Sequence, residues 1–253
     1  MTDSPLQVWH ERDERLLRLR LNAPKANVID ARMITALEHA FADVGDIHAI
    51  LLDHAGPHFS FGASVEEHLP EQCAEMLSGL HTLIKNMLAC PVPVLVAVKG
   101  QCLGGGLEVA MAGNMIFTTP DAMFGQPEIK LAVFAPAASC LLPRLVGRQL
   151  AEDMLYSGRS INGAEATRTG LAVDASDDPE AAALDYFDKH LSGISASSLR
   201  FAVTAVRQTF VDEVSNDLDR VEKLYLEGLM KTHDATEGLQ AFIEKRPANW
   251  ENR

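Results

Sequence analysis

The sequence has no apolar run approaching the roughly 20 residues that a membrane span needs. Its opening, Met1-Thr2-Asp3-Ser4-Pro5, carries neither the basic segment nor the apolar stretch of a signal peptide. A cytoplasmic protein with no membrane role is expected. Cysteine is sparse and scattered: Cys73, Cys90, Cys102 and Cys140 form no Cys-x-x-Cys pair, so neither a disulfide framework nor a zinc site is expected. Positive charge is in deficit. With 22 basic against 35 acidic residues the net charge is −13, which argues against a nucleic-acid partner. His54 and His58 straddle a Gly-Pro turn and cannot share a helix face, so no metal site is expected from them. Internal repeats and Gly/Ser/Pro-rich linkers are also lacking.

What is present is ordinary globular material. The chain has 253 residues, 47% hydrophobic and 23% charged, enough for one large domain with a sizeable core. Leu17, Leu19 and Leu21 alternate with Arg18 and Arg20 behind the polar turn Glu11-Arg12-Asp13-Glu14, which reads as a β-hairpin. Asp30 can N-cap a helix whose apolar stripe is Ile34, Leu37, Phe41 and Val44. Ala49-Ile50-Leu51-Leu52 and Val94-Leu95-Val96-Ala97-Val98 are runs of the kind buried in parallel sheets. Between them a helix is expected over 71–89, stopped by Pro91 and Pro93. A short helix over 107–112 and a strand over 115–119 follow the second run. This alternation implies an α/β unit with right-handed crossovers. From Ala135 onward the chain turns mostly helical, with late helices expected over 197–211, 216–232 and 236–244.

Two glycine-bearing loops follow strands and could bring backbone close to a ligand. They are Phe59-Ser60-Phe61-Gly62-Ala63-Ser64 and Cys102-Leu103-Gly104-Gly105-Gly106-Leu107-Glu108. Three glycines opening a helix expose free N–H groups at its positive end, which suits an oxyanion and equally suits a tight turn with no ligand. Glu108 in that helix's first turn either complements the dipole or does acid–base work. Glu128, in Phe124-Gly125-Gln126-Pro127-Glu128, reads alone as a loop carboxylate, and sequence spacing does not establish that the two glutamates meet.

Taken together, Pro24-Lys25-Ala26-Asn27, Gly62-Ala63-Ser64, Gly104-Gly105-Gly106-Leu107-Glu108, Phe124-Gly125-Gln126-Pro127-Glu128 and Ala241-Phe242-Ile243-Glu244-Lys245-Arg246 resemble the enoyl-CoA hydratase (crotonase) superfamily in order and spacing over nearly the whole chain. The resemblance implies a crotonase-like spiral of ββα units with a helical C-terminal portion. Residues 1–195 would form the α/β core, and 196–253 a helical trimerisation region that is not an independent domain. It implies an oxyanion hole made by the backbone N–H groups of Ala63 and Gly105, and Glu108 and Glu128 as the catalytic pair. Lys25, Ala26, Ala63, Phe242 and Lys245 would border coenzyme A. Since coenzyme A belongs to the substrate, no separate cofactor is implied; the partners are an acyl-CoA and further copies of the chain, as homotrimer or homohexamer.

Two departures from the family pattern narrow the substrate. The stretch after the second glutamate is Leu131-Ala132-Val133-Phe134-Ala135-Pro136-Ala137-Ala138-Ser139, where relatives are glycine-rich. Ser64 stands where aspartate is usual, and Glu66 where lysine is common, which puts phosphate binding there in doubt. These segments are similar to one branch that hydrates a cyclic dienoyl thioester in anaerobic aromatic-compound degradation. A ring would suit an acyl pocket of Phe61, Val133, Phe134 and Ala137. Straight-chain enoyl-CoA hydration, double-bond isomerisation and a non-catalytic acyl-CoA-binding role remain alternatives. Acyl-CoA hydrolysis lacks support, because no Gly-x-Ser-x-Gly elbow is present.

Overall fold

The computed structural model of the protein describes residues 4–23 and 26–253. The chain opens with the expected hairpin, β1 (Leu6–Glu11) and β2 (Leu16–Leu21), in which Leu6 faces Leu21 and Glu11 faces Leu16. Its polar turn holds Arg12, Asp13 and Glu14 at positive φ. Helix α1 (Ala31–Ala42) is capped by the Asp30 carboxylate, which accepts from the Met33 N–H at 2.8 Å. Next come β3 (Ala49–His54), α2 (Cys73–Ala89), β4 (Val94–Val98), β5 (Gln101–Leu103), α3 (Gly105–Ala112), β6 (Met115–Thr118) and β7 (Met123–Gly125). The remainder is α4 (Pro136–Val146), α5 (Arg148–Ser157), β8 (Ser160–Asn162), α6 (Gly163–Thr169), β9 (Asp174–Ala175), α7 (Pro179–Tyr186), α8 (Ala196–Glu227) and α9 (His233–Ile243).

Two sheets result. The larger runs β1-β2-β3-β4-β6-β9 and is parallel from β2 onward; the smaller runs β5-β7-β8. Both faces of the larger sheet are buried, as the unbroken apolar run of β4 demands. One face carries Leu19, Ile50, Leu52, Val94 and Val96 against the helices α1 to α4. The opposite face carries Leu16, Leu51, Leu95 and Phe117 against Ala183 and Phe187 at the end of α7.

That second layer corrects the alternation expected in β2. Arg18 lies on the face away from the main core, yet is only 2% exposed. Helix α7 covers it, and its guanidinium is paired with Asp53, with Glu180 of α7 at 2.8 Å and with Glu11 at 3.1 Å. An arginine can be buried there because three carboxylates meet it.

The C-terminal helices also differ from expectation. The segments 197–211 and 216–232 belong largely to one helix, α8, which ends at Glu227. No glycine or proline interrupts 212–215, and Val214 within it is fully buried. The buried positions Val203, Arg207, Val214, Leu218 and Tyr225 recur at helical spacing along its whole length, so the polar residues between them mark the solvent face of the helix. Helix α9 starts at His233, where the Thr232 side chain accepts from the Ala235 N–H.

The continuity of α8 is testable at Asn216, which is exposed. A loop would tolerate proline at this position. In the helix, Asn216→Pro removes a hydrogen bond and clashes with the preceding turn, at a cost of about 3 kcal/mol. Denaturant unfolding should show that loss, whereas Asn216→Ala should leave the midpoint nearly unchanged.

Candidate active site

The three residues of β5 join the segments that matter. On one side Ser60 bridges Cys102: the Ser60 N–H donates to the Gln101 carbonyl at 3.0 Å, and the Leu103 N–H to the Ser60 carbonyl at 3.0 Å. On the other side β5 pairs in parallel with β7, and the Gly104 N–H donates to the Gly125 carbonyl at 2.9 Å. The loop holding Ala63 and the turn holding Glu128 are thereby fixed to opposite edges of the strand that leads into α3.

The glycines then allow close approach. Gly62 and Gly104 have φ of +109° and +51°, which side chains rarely adopt. A Cβ on Gly104 would stand 2.5 Å from Glu128 Oε1, and one on Gly106 would stand 2.4 Å from the Ser60 Cβ. A Cβ on Gly105 would lie 3.1 Å from the Ala63 nitrogen. The backbones of Ala63 and Gly105 are therefore neighbours. Neither N–H donates a hydrogen bond among the described residues, and that of Gly105 opens α3 at its positive end. Two free amides side by side at a helix start are suited to a carbonyl oxygen acquiring negative charge.

Both glutamates line the same cavity, about 70 Å³ in volume. Glu108 is 3% exposed and accepts from the Ala138 N–H at 2.8 Å. Burial pushes its carboxyl up to about 7, opposed by the amides of Ala138 and Ala137, which favour the anion. Glu128 sits in the 3-10 turn Pro127–Leu131, which the left-handed residue Ala132 closes. Burial and then the charge of Glu108 push it up to about 8. The buried Gln126 amide, with its NH2 turned toward that carboxyl, reaches both oxygens at 3.1 Å.

The residues expected to form an acyl pocket divide between cavity and core. Phe61, Val133 and Phe134 line the cavity. Ala137 does not: its side chain is fully buried in the main core, and its contribution is the backbone amide beside Glu108. The first turn of α4 aims its N–H groups at that carboxylate and turns the alanine's methyl group inward. Leu77, Leu80 and Leu239 complete the wall. Helical periodicity marked Leu80 as apolar without indicating what it faces.

Among the residues expected to border coenzyme A, Ala26 is half-buried and its carbonyl accepts from the Phe61 N–H at 3.0 Å. Lys25 lies outside the described residues. Phe242 and Lys245 are exposed at the end of α9, away from the cavity lining, to which the same helix contributes Leu239. Glu66, in the place of a common lysine, is engaged by the Ser64 hydroxyl at 3.2 Å. Gln126 and the Ala138 amide were not singled out by the sequence. Gln126 stood within a recognised motif but looked like a turn residue, and a backbone donor leaves no trace in residue identity.

Fold and site together define an α/β class in which two backbone amides and two buried carboxyls border one cavity. Residues 11–253 match the family model described as enoyl-CoA hydratase/isomerase, and the chain belongs to that family. It is 63% identical to the cyclohexa-1,5-dienecarbonyl-CoA hydratase of Thauera aromatica, over 99% of this chain and 98% of that protein. Among solved structures it resembles an enoyl-CoA hydratase/isomerase from Pseudoalteromonas atlantica T6c, with a TM-score of 0.83 at 25% identity over 97% of this chain and 99% of that one. The fold is also that of an enoyl-CoA hydratase from Bacillus halodurans, with a TM-score of 0.85 at 21% identity over 94% and 100% of the two chains.

The raised carboxyls oppose folding. Below about 4.5 Glu108 is protonated in both folded and unfolded chains, and its ionisation contributes nothing to stability. As pH rises the unfolded chain releases that proton first, so a penalty builds and becomes complete above about 7. Glu108→Gln should therefore unfold at higher denaturant than wild type at neutral pH, by up to roughly 3 kcal/mol. The advantage should disappear at pH 4, as paired denaturation curves at the two pH values would show.

Proposed function

We propose that the protein is an acyl-CoA hydratase acting on cyclohexa-1,5-diene-1-carbonyl-CoA and forming 6-hydroxycyclohex-1-ene-1-carbonyl-CoA. The observation that carries this reading is the pair of buried carboxyls, raised to about 7 and about 8, facing one cavity beside two unbonded amides. Near neutrality such a pair holds about one proton, which is what concerted acid–base chemistry requires. The 63% identity to a hydratase with this substrate in its name, along nearly the full length of both chains, supports the choice of acyl group.

In this mechanism the Ala63 and Gly105 N–H groups hold the thioester oxygen. Glu108, whose anion Ala138 and Ala137 stabilise, takes a proton from water. The water oxygen bonds to a ring carbon next to the one bearing the thioester, and the displaced electron pair spreads onto the thioester oxygen. Glu128, which burial and then Glu108's charge keep protonated, then gives its proton to a ring carbon. The pair moves back from oxygen and leaves a single ring double bond conjugated to the thioester. Water is consumed, no redox change occurs, and the thioester itself is the electron sink.

Lys25, Ala26, Phe242 and Lys245 would contact coenzyme A. The exposed positions of Phe242 and Lys245 are compatible with supplying a neighbouring subunit's ligand. The chain would assemble as a trimer or a pair of trimers through its C-terminal helices. Phe201 and Val206, 79% and 82% exposed on α8, are apolar surface suited to such an interface.

Incubation with the cyclic dienoyl-CoA and with crotonyl-CoA, followed by the absorbance of the conjugated thioester, tests the substrate. Faster turnover of crotonyl-CoA would remove the ring assignment. Glu108→Gln and Glu128→Gln should each lower kcat by about 10²–10⁴-fold. The wild-type kcat/KM should be bell-shaped, rising as Glu108 ionises near 7 and falling as Glu128 loses its proton near 8. Light scattering should give three or six times 27.5 kDa; a monomer would contradict the assembly.

A further inference from the structure

The cavity wall carries a third polar side chain that the mechanism above leaves unused. Among the described residues that line it, only Glu108, Glu128 and His68 have polar side chains; the others are apolar or glycine. His68 closes the 3-10 turn Glu66–His68, and its own N–H donates to the Val65 carbonyl at 3.1 Å. Its Nδ1 lies 2.6 Å from the Ser64 carbonyl oxygen. A carbonyl can only accept, so Nδ1 bears the hydrogen and Nε2 presents a bare lone pair. Burial pushes the imidazole pKa down, which favours this neutral form.

The Nε2 atom makes no hydrogen bond among the described residues. His48, His54 and His81 each bury an unpartnered ring nitrogen in the interior, whereas Nε2 of His68 is not among those sealed atoms. His68 lines the cavity, and its Nε2 is accessible and unpartnered among the described residues. Such an acceptor in an apolar wall is left to water or to a ligand to satisfy.

We propose that His68 determines specificity in this site: its Nε2 accepts a hydrogen bond from the attacking water and then from the hydroxyl that the water becomes. This rests on the hydratase reading given above. The attacking water has two hydrogens. One passes to Glu108, and the other stays on oxygen and needs an acceptor while Glu128 is committed to donating. Nε2 supplies it. His68 shares the segment 63–68 with Ala63, so one short stretch of chain would set both the oxyanion donor and the acceptor for the incoming oxygen. A site built this way discriminates against the same acyl group lacking the oxygen, because the imidazole is then left unpaired.

The test compares dissociation constants, by calorimetry, for 6-hydroxycyclohex-1-ene-1-carbonyl-CoA and cyclohex-1-ene-1-carbonyl-CoA. His68→Leu should weaken the hydroxylated ligand about tenfold, the worth of one hydrogen bond, and change the other less than twofold. His68→Phe keeps a flat ring without an acceptor and should behave the same way, which preserves the test if the leucine variant does not fold. In turnover, kcat should fall more than KM rises, and His68→Gln, whose amide oxygen can accept, should recover part of the loss. Equal weakening of both ligands would reduce His68 to packing and overturn the proposal, as would unchanged binding of the hydroxylated one. Should wild type bind neither cyclic ligand, the substrate assignment fails separately, and the 3-hydroxybutyryl-CoA and butyryl-CoA pair puts the same question to His68.

Discussion

The site depends on the pairing of β5, a strand of three residues. Its hydrogen bonds to Ser60 on one edge and to β7 on the other bring together segments near residues 60, 104 and 125. Remove that ladder and the loop holding Ala63, the first turn of α3 and the turn holding Glu128 have no reason to meet. A strand this short has little stability of its own. It persists because α3 is buried along its whole length and anchors the strand's C-terminal end. The glycines at 104 and 106 are demanded by the same constraint, since Glu128 and Ser60 occupy the space their side chains would need.

Close approach also sets the electrostatics. Two carboxyls in one small, mostly apolar cavity cannot both ionise cheaply, and each raises the difficulty for the other. What separates their roles is the backbone around them. Glu108 faces the N–H groups at the start of α4, which favour its anion. Glu128 is raised by its burial and then by the charge of Glu108, so it keeps its proton to higher pH. Two identical side chains thus come to differ in how readily they ionise through what surrounds each.

This accounts for what could and could not be read in the sequence. The apolar run of β4, the Asp30 cap and the glycine cluster before α3 are local signals, and each corresponds to an element. The burial of Arg18 was hidden, because its alternation with leucine is also the pattern of a half-exposed strand, and only the covering α7 reverses that reading. The continuity of α8 was obscured by polar residues that mark a solvent face and not a loop. The strands β5 and β7 were missed for lack of length, and their pairing is what unites the glutamates. Ala137 looked like pocket lining by position, yet it acts through its amide, a group every residue except proline possesses.

Helix α3 shows how the C-terminal segment enters the active region. A helix buried on all sides leaves orphan groups at both ends. At its C-terminal end the Arg207 guanidinium, from α8, donates to the Ala112 and Gly113 carbonyls at 3.1 and 3.2 Å and to Asn114 Oδ1 at 3.2 Å. That cation satisfies the carbonyls and complements the negative end of the dipole. The Gly105 N–H at the opposite end has no such partner among the described residues, and Gly105 lines the cavity. Leu239 of α9 lines the cavity, and the ring of Tyr225 of α8 packs edge-on at 5.1 Å against Phe134, which also lines it. Residues 196–253 therefore add Val214 and Leu218 to the core and brace the helix that carries the free amide.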